Sequence, residues 1–358
     1  MSRNALANFI QGLYRLMVIG ALGFTCSQVQ PADLSSRQSG GARAHVLIVE
    51  NPNATYQYQP NTECVQDMVN QGITNFTGKP TLAEAWRSLV SGQDVVGIKV
   101  FSTAGSINGT RPAVVAAVVR GLLAAGVPPS HVIIWDKNDG DLRAAGFFKL
   151  AARLGVDAAG SAQAGYDPTN FYLPDTPIIG QLVWGDFEFG KKGPDVGKRS
   201  FVSRLVSRQI TKIISIAPLL NQDAAGTCGH LYGLAMGSVD NTMRFQNDSG
   251  RLAVAVPEIY ALPALGDRVV VNITDALIGQ YAGGAKGLLQ YSMVLNQLWF
   301  SRDPVALDTL AIRELDHERR IIQAPEFKPN PELYANAALL QLGVNEPDRI
   351  QVDQIHLH

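Results

Sequence analysis

The chain has 358 residues, of which 46% are hydrophobic and only 17% charged, with 30 basic side chains against 31 acidic ones. Such a composition supports a large core and excludes a wholly disordered chain or a small disulfide scaffold. Nothing in the near-neutral balance, without a basic tract of the usual kind, calls for a nucleic-acid partner; the more basic patch at 189–208 is read as a solvated hairpin edge rather than an electrostatic footprint.

In chain order, Arg3 and Arg15 flank a mixed lead that gives way to the apolar run LMVIGALGF at 16–24. That run is too short to span a bilayer, which takes about 20 helical residues. It fits the apolar core of a secretory signal peptide. Residues 1–27 are therefore read as a signal, 28–43 as a linker rich in Ser and Gly, and 44–358 as an α/β domain. The mature chain is expected to be periplasmic or extracellular and to have no transmembrane span, and Cys26 offers a position for a lipid anchor. Cys64 and Cys228 remain in the mature chain and pair only if their α-carbons come within bonding range.

The domain opens with AHVLIVEN (44–51), and DVVGIKVF (94–101) and HVIIWD (131–136) follow as similar strands. ITKIISIAP (210–218), DRVVVNITD (267–275) and MVLNQLWF (293–300) continue the series. Short apolar runs bounded by turn residues suit strands covered on both faces, and hence a mostly parallel sheet. Helices are predicted between them at 111–126, 140–155 and 303–320, the first opening on Pro112 and closing at Gly126. The fold class is α/β, a mostly parallel sheet with flanking helices, in one unit or two lobes. A Pro/Gly-rich insertion over about 156–208 is read as a hairpin with a solvated basic edge.

Ligands of open α/β sheets sit beyond the carboxyl ends of the strands, and this rule selects the candidate site. The loop FSTAGSINGTRP (101–112) enters a buried helix, so its helix-start N–H groups, Thr110 and the Arg111 guanidinium can hold a carboxylate or phosphate. The bland alternative is a helix capped by Thr110, with Arg111 in solvent. Lys99 ends the same strand and either reaches past it or pairs with Asp136 at the end of the next. In DPVALD (303–308), Asp303 is placed to cap a helix and Asp308 to face a cleft one turn on. The segment TDALIGQYAGGAKG (274–287) offers Asp275 and Lys286.

GTCGHLYGLAMGSVDNTMRF (226–245) concentrates Cys228, His230 and Asp240 behind Asp223. Cys-x-His with Asp223 gives three metal ligands only if the loop folds back. Side chains two apart do not meet on a helix, which counts against a thiolate activated by His230. Gly226, Gly229, Gly233 and Gly237 recur at intervals suited to close helix packing. The ligand-binding set is accordingly Lys99, Thr110, Arg111, Asp136, His230, Asp275, Lys286 and Asp308, for a small anionic molecule. No catalytic residue, metal, cofactor or oligomeric state is assigned.

The ordered segments VVGIKVF, TRPAVVAAVVRGLLAAGV, HVIIWD, KIISIAPLLNQDAAGTCGHLYGLAMGS, NITDALIGQYAGG and SRDPVALDTLA resemble the prokaryotic family catalogued as domain of unknown function 362, over about 94–312. The resemblance implies an α/β domain without a settled activity. Where that family carries lysines and a histidine, this chain has Pro218, Leu220 and Gln222, then Tyr232 and Gly233. Thr110, Arg111 and Pro112 are also similar to a turn of the nickel-pincer lactate racemases, which implies a role in holding an anion. The histidines and lysines around that family's metal have no counterpart here. Two readings result: an envelope enzyme acting on a small anion, or a non-catalytic binding module that has lost the family's basic residues.

Overall fold

Central strands buried on both faces organise the sheet. In the computed structural model, which describes residues 43–284, 286–324 and 329–358, the apolar runs form strands β1 (Ala44–Glu50), β2 (Val96–Lys99), β3 (Val132–Asp136), β4 (Asp157–Gly160), β5 (Lys212–Gln222), β6 (Val269–Gln280), β7 (Ser292–Ser301) and β8 (Ile350–His356). They lie side by side in the order β8-β1-β7-β6-β5-β2-β3-β4, and the short strand Gly226–Thr227 pairs with β5 as the ninth member of the sheet. All the strands on that path are mutually parallel except β7, which runs antiparallel to β1 and β6. The expected mostly parallel sheet is present. The expected signal (1–27) and all of the expected linker (28–43) but Arg43 lie outside the described residues.

Six helices matter for the site: α1 (Thr62–Thr77), α2 (Pro112–Ala124), α3 (His230–Ser238), α4 (Ser249–Tyr260), α5 (Pro304–Ile321) and α6 (Pro331–Leu339). The pleat sends Val96, Ile98, Ile134, Ile214 and Ile216 to one face, where α1 and α2 cover them. Gly97 and Lys99 face the other side with Trp135 and Ile213, under α3 and α4. Helices that follow β2 thus cover one face and those that follow β5 cover the other. The winding reverses between these two neighbouring strands, and this is the switch point where an open α/β sheet has its crevice.

The described residues form one compact unit. The helix predicted at 140–155 is two helices, Asp139–Ala144 and Phe147–Leu154, broken at Gly146, whose φ of 88° ends the first turn run. The insertion is a hairpin, Tyr166–Tyr172 against Ser200–Ser203, with a long excursion between its arms. Its predicted start was too early, because Asp157–Gly160 is an edge strand of the main sheet. Among the described residues no helix is long and apolar enough to cross a membrane. Cys64 and Cys228 are both free thiols, so no disulfide joins them.

Candidate functional site

The loop after β2 builds the arrangement that the sequence suggests, and the protein fills it with its own carboxylates. Thr110 is held in place by accepting from Phe101 N (2.9 Å) and donating to Ile216 O (2.7 Å). That fixes Arg111 at the start of α2, where it is buried rather than in solvent. Its backbone N–H donates to Asp275 Oδ2 at 2.9 Å and its Nη1 to Asp275 Oδ1 at 2.8 Å. Nη2 donates to Ile107 O and Ile278 O. A helix-start amide and a guanidinium do clamp an anion here, but that anion is Asp275.

Lys99 pairs with Asp136 Oδ1 at 2.8 Å, the structural alternative offered by its position in the strand. Both groups are buried, and the other carboxylate oxygen accepts from Ser102 N and Ser102 Oγ at 2.7 Å each. Gly237 of α3 lies directly over the pair: a β-carbon there would stand 2.7 Å from Lys99 Nζ and 3.1 Å from Asp136 Oδ1. The close approach of α3 closes the switch point.

His230, at the first position of α3, is a satisfied interior histidine. Nδ1 meets Ser215 Oγ at 2.8 Å and Nε2 meets Thr274 Oγ1 at 3.0 Å. Burial pushes the imidazole down to about 3, so it is neutral at physiological pH. Asp308 does not face a cleft. It crosses from α5 to accept from His230 N at 2.7 Å and Leu231 N at 2.9 Å, which caps α3 from another helix. Burial drives its carboxyl up to about 7 against those two donors. Gly229 permits the approach, since a β-carbon there would lie 2.8 Å from Asp308 Oδ2 and closer still to Oδ1. Of the four glycines read as one helical stripe, only Gly233 and Gly237 lie within α3; Gly226 belongs to the short strand and Gly229 precedes the helix.

The candidates therefore divide between the two faces of the sheet. Arg111 and Asp275 stand at the start of α2, while Lys99 and Asp136 stand under α3, and His230 at the start of α3 is met by Asp308 from α5. Lys286 is exposed, with its backbone carbonyl tied to Gln280 Nε2. Gln280 also donates to Ala282 O and Gly284 O, so this glutamine shapes the glycine-rich loop. Cys228 is buried, with its thiol pushed up by that burial and by nearby carboxylates. Among the described residues no group of three His, Cys, Asp or Glu side chains is placed to hold a metal.

Open polar surface lies one strand further out. Beyond the carboxyl end of β4 is a cleft of about 440 Å³, lined by Gln163, Tyr166, Trp184, Asp186, Phe189 and Arg204 among others. Arg204 is fixed by its N–H to Gly165 O (2.9 Å) and its Nε to Tyr166 O (3.0 Å). No described residue accepts from its terminal nitrogens. Tyr166 is 2% exposed and its hydroxyl has no hydrogen-bond partner. Behind the ring, Lys137 Nζ sits 5.7 Å from the centroid and donates to Val239 O. Burial lowers that lysine to about 8 despite the carboxylates of Asp240 and Asp186, and raises Asp240 to about 7.

One sequence signal points to this cluster, the Lys137 that follows Asp136 at a strand end, although Lys137 is absent from the expected ligand-binding set. The excursion that supplies Trp184 and Asp186 carries no periodicity. A larger pocket of about 740 Å³ lies at the opposite edge of the sheet, beside the starts of β1 and β8. Its Asp303 is spent on Ala306 N and Val344 N, and the pocket lies at strand starts, whereas ligands of open α/β sheets sit beyond the carboxyl ends of the strands.

Fold and site together define an α/β sheet protein with a plugged switch point and an open lateral cleft. No family model matches the chain, and no curated protein matches it. A crystal structure of a Thermotoga maritima protein is similar over 74% of this chain and 60% of that one, at 11% identity and a TM-score of 0.40. The chain thus spans about 60% of that protein's length.

Proposed function

We propose that this protein is a non-catalytic binding module for a small anionic molecule, which it takes up in the lateral cleft beside Arg204. The carrying observation is the Arg204 guanidinium, anchored through Nε while its terminal nitrogens stay open to the cleft. The pair-wise commitment of Lys99, Asp136, Arg111 and Asp275 takes the switch point out of play and leaves the lateral cleft as the place for the ligand. The same proposal retains the resemblance to the family of unknown function, with the basic residues absent at Pro218, Leu220 and Gln222. It also retains export to the periplasm or beyond after removal of the 1–27 segment. Calorimetric titration with small carboxylates and inorganic phosphate tests the reading. Arg204→Ala is expected to weaken binding by roughly 1.5–3 kcal/mol, the worth of a charge-assisted contact. Equal affinity in parent and variant would reject Arg204 as the anion's partner.

A further inference from the structure

The cleft's ligand class can be read from how its most exposed wall is held. Trp184 is 83% exposed, an unusual position for an indole. It is nevertheless fixed. The turn that carries it is closed by Asp186 N donating to Val183 O at 3.0 Å and by Val183 N donating to Asp186 Oδ2 at 2.8 Å. The other oxygen of Asp186 accepts from Asn241 N at 2.7 Å, which ties the turn to the body of the domain. The Trp184 ring meets Phe189 edge-on, with centroids 5.6 Å apart.

A large aromatic face presented on a rigid, buried anchor is preorganised for stacking, because little freedom remains to be lost on binding. Gly165 and Gly185 also line the cleft, and a β-carbon at Gly165 would meet nothing nearer than Arg204 Nη1 at 3.7 Å. Arg204 on the rim supplies charge complementarity for one anionic group. The volume of about 440 Å³ lies within the usual range for small-molecule sites and suits one or two fused rings.

We infer that the ligand is a planar aromatic carboxylate, whose ring stacks on Trp184 while its carboxylate meets Arg204. The inference rests on the anion-binding reading of this cleft and adds the requirement for a flat ring. The test compares benzoate with cyclohexanecarboxylate, which have the same charge and nearly the same size but differ in planarity. Calorimetry on the full chain is expected to show benzoate binding about three- to tenfold tighter, the range that aromatic pairing contributes beyond area. Trp184→Ala should abolish that preference, and Arg204→Ala should weaken both compounds by the same factor.

Equal binding of the two acids by the parent protein would overturn the aromatic inference and leave the anion reading standing. Failure of either acid to bind at millimolar concentration would overturn both. A third arm uses phosphatidylglycerol vesicles. A blue shift of Trp184 emission with vesicles, and none of these ligand effects, would replace the small molecule with a lipid surface.

Discussion

Replacing Gly237 with alanine probes the plug at the switch point most directly. The new methyl carbon would stand 2.7 Å from Lys99 Nζ, 3.1 Å from Asp136 Oδ1 and nearer still to Lys99 Cε. Ordinary contact for carbon is about 3.5–4.0 Å, so either α3 or the lysine must retreat by about 1 Å. The lysine cannot yield cheaply, because its ammonium is committed to Asp136 at 2.8 Å and to Val100 O at 2.6 Å. Overpacking of this kind costs about 1–3 kcal/mol, and loosening a buried ion pair adds to it, up to about 3–5 kcal/mol if one partner is lost. Alanine's better helix propensity returns at most about 1 kcal/mol. The net expectation is a loss of about 2–4 kcal/mol, a fall in Tm of roughly 4–8 °C for a domain of this size. Urea and thermal unfolding followed by circular dichroism give both numbers. Gly233→Ala is the internal comparison: its added carbon meets only Cys228 O, at 2.9 Å, and should cost less. A Gly237→Ala protein as stable as its parent would refute the close seating of α3 on the ion pair.

Two further outcomes follow from the same interior. Arg111→Ala leaves the Asp275 carboxylate buried and stripped of its guanidinium, so it should destabilise by about 3–5 kcal/mol. The joint change Arg111→Met with Asp275→Leu should recover most of that in denaturant unfolding, and a stable single mutant would place Arg111 outside the core. The pH dependence tests Asp308 against His230. Asp308, raised to about 7 from 3.8, adds stability that is full in acid and is lost as pH rises through 7. His230, lowered to about 3 from 6.5, adds stability that is full above 6.5 and is lost as pH falls toward 3. Between about pH 4 and 6.5 the two slopes, each about 1.4 kcal/mol per pH unit, oppose one another. Asp308→Asn should therefore lose stability on acidification from pH 6.5 to 4 more steeply than the parent, and parallel urea-midpoint curves would contradict the assignment.

How much of this could be read in advance depends on whether a signal is local. β2, β3 and β5 announce themselves as apolar runs because both faces of each are covered. β8 does not: IQVDQIH is an edge strand and largely exposed, so selection for apolar residues is weak along it. Nor does the sequence reveal that β7 runs against its neighbours. Lys99 and Asp136 were legible as a pair because adjacent strand ends must bring them together. Asp275 lies 164 residues from Arg111, and no periodicity links them. Arg111 thus looked like an open anion clamp when its anion was already built into β6. The lateral cleft stayed hidden for a related reason. Its walls come from a turn and a hairpin arm that are set by hydrogen bonds to Asp186 and Arg204, not by a repeating apolar pattern.

The cap that Asp308 places on α3 has a consequence for how the chain comes together. The segment 223–229 and the helix after it receive their fastenings from far downstream: Asp308 takes the first helical amides, Asn330 Nδ2 donates to Ala224 O, and Tyr334 Oη donates to Ala225 O. Until residues 304–339 have been made, α3 lacks its cap and the preceding loop lacks both of its tethers. The seat of α3 over the switch point is thus completed only by residues 304–339. Contacts so distant in sequence form slowly, so α3 and the loop before it are expected to be among the last parts of the fold to lock.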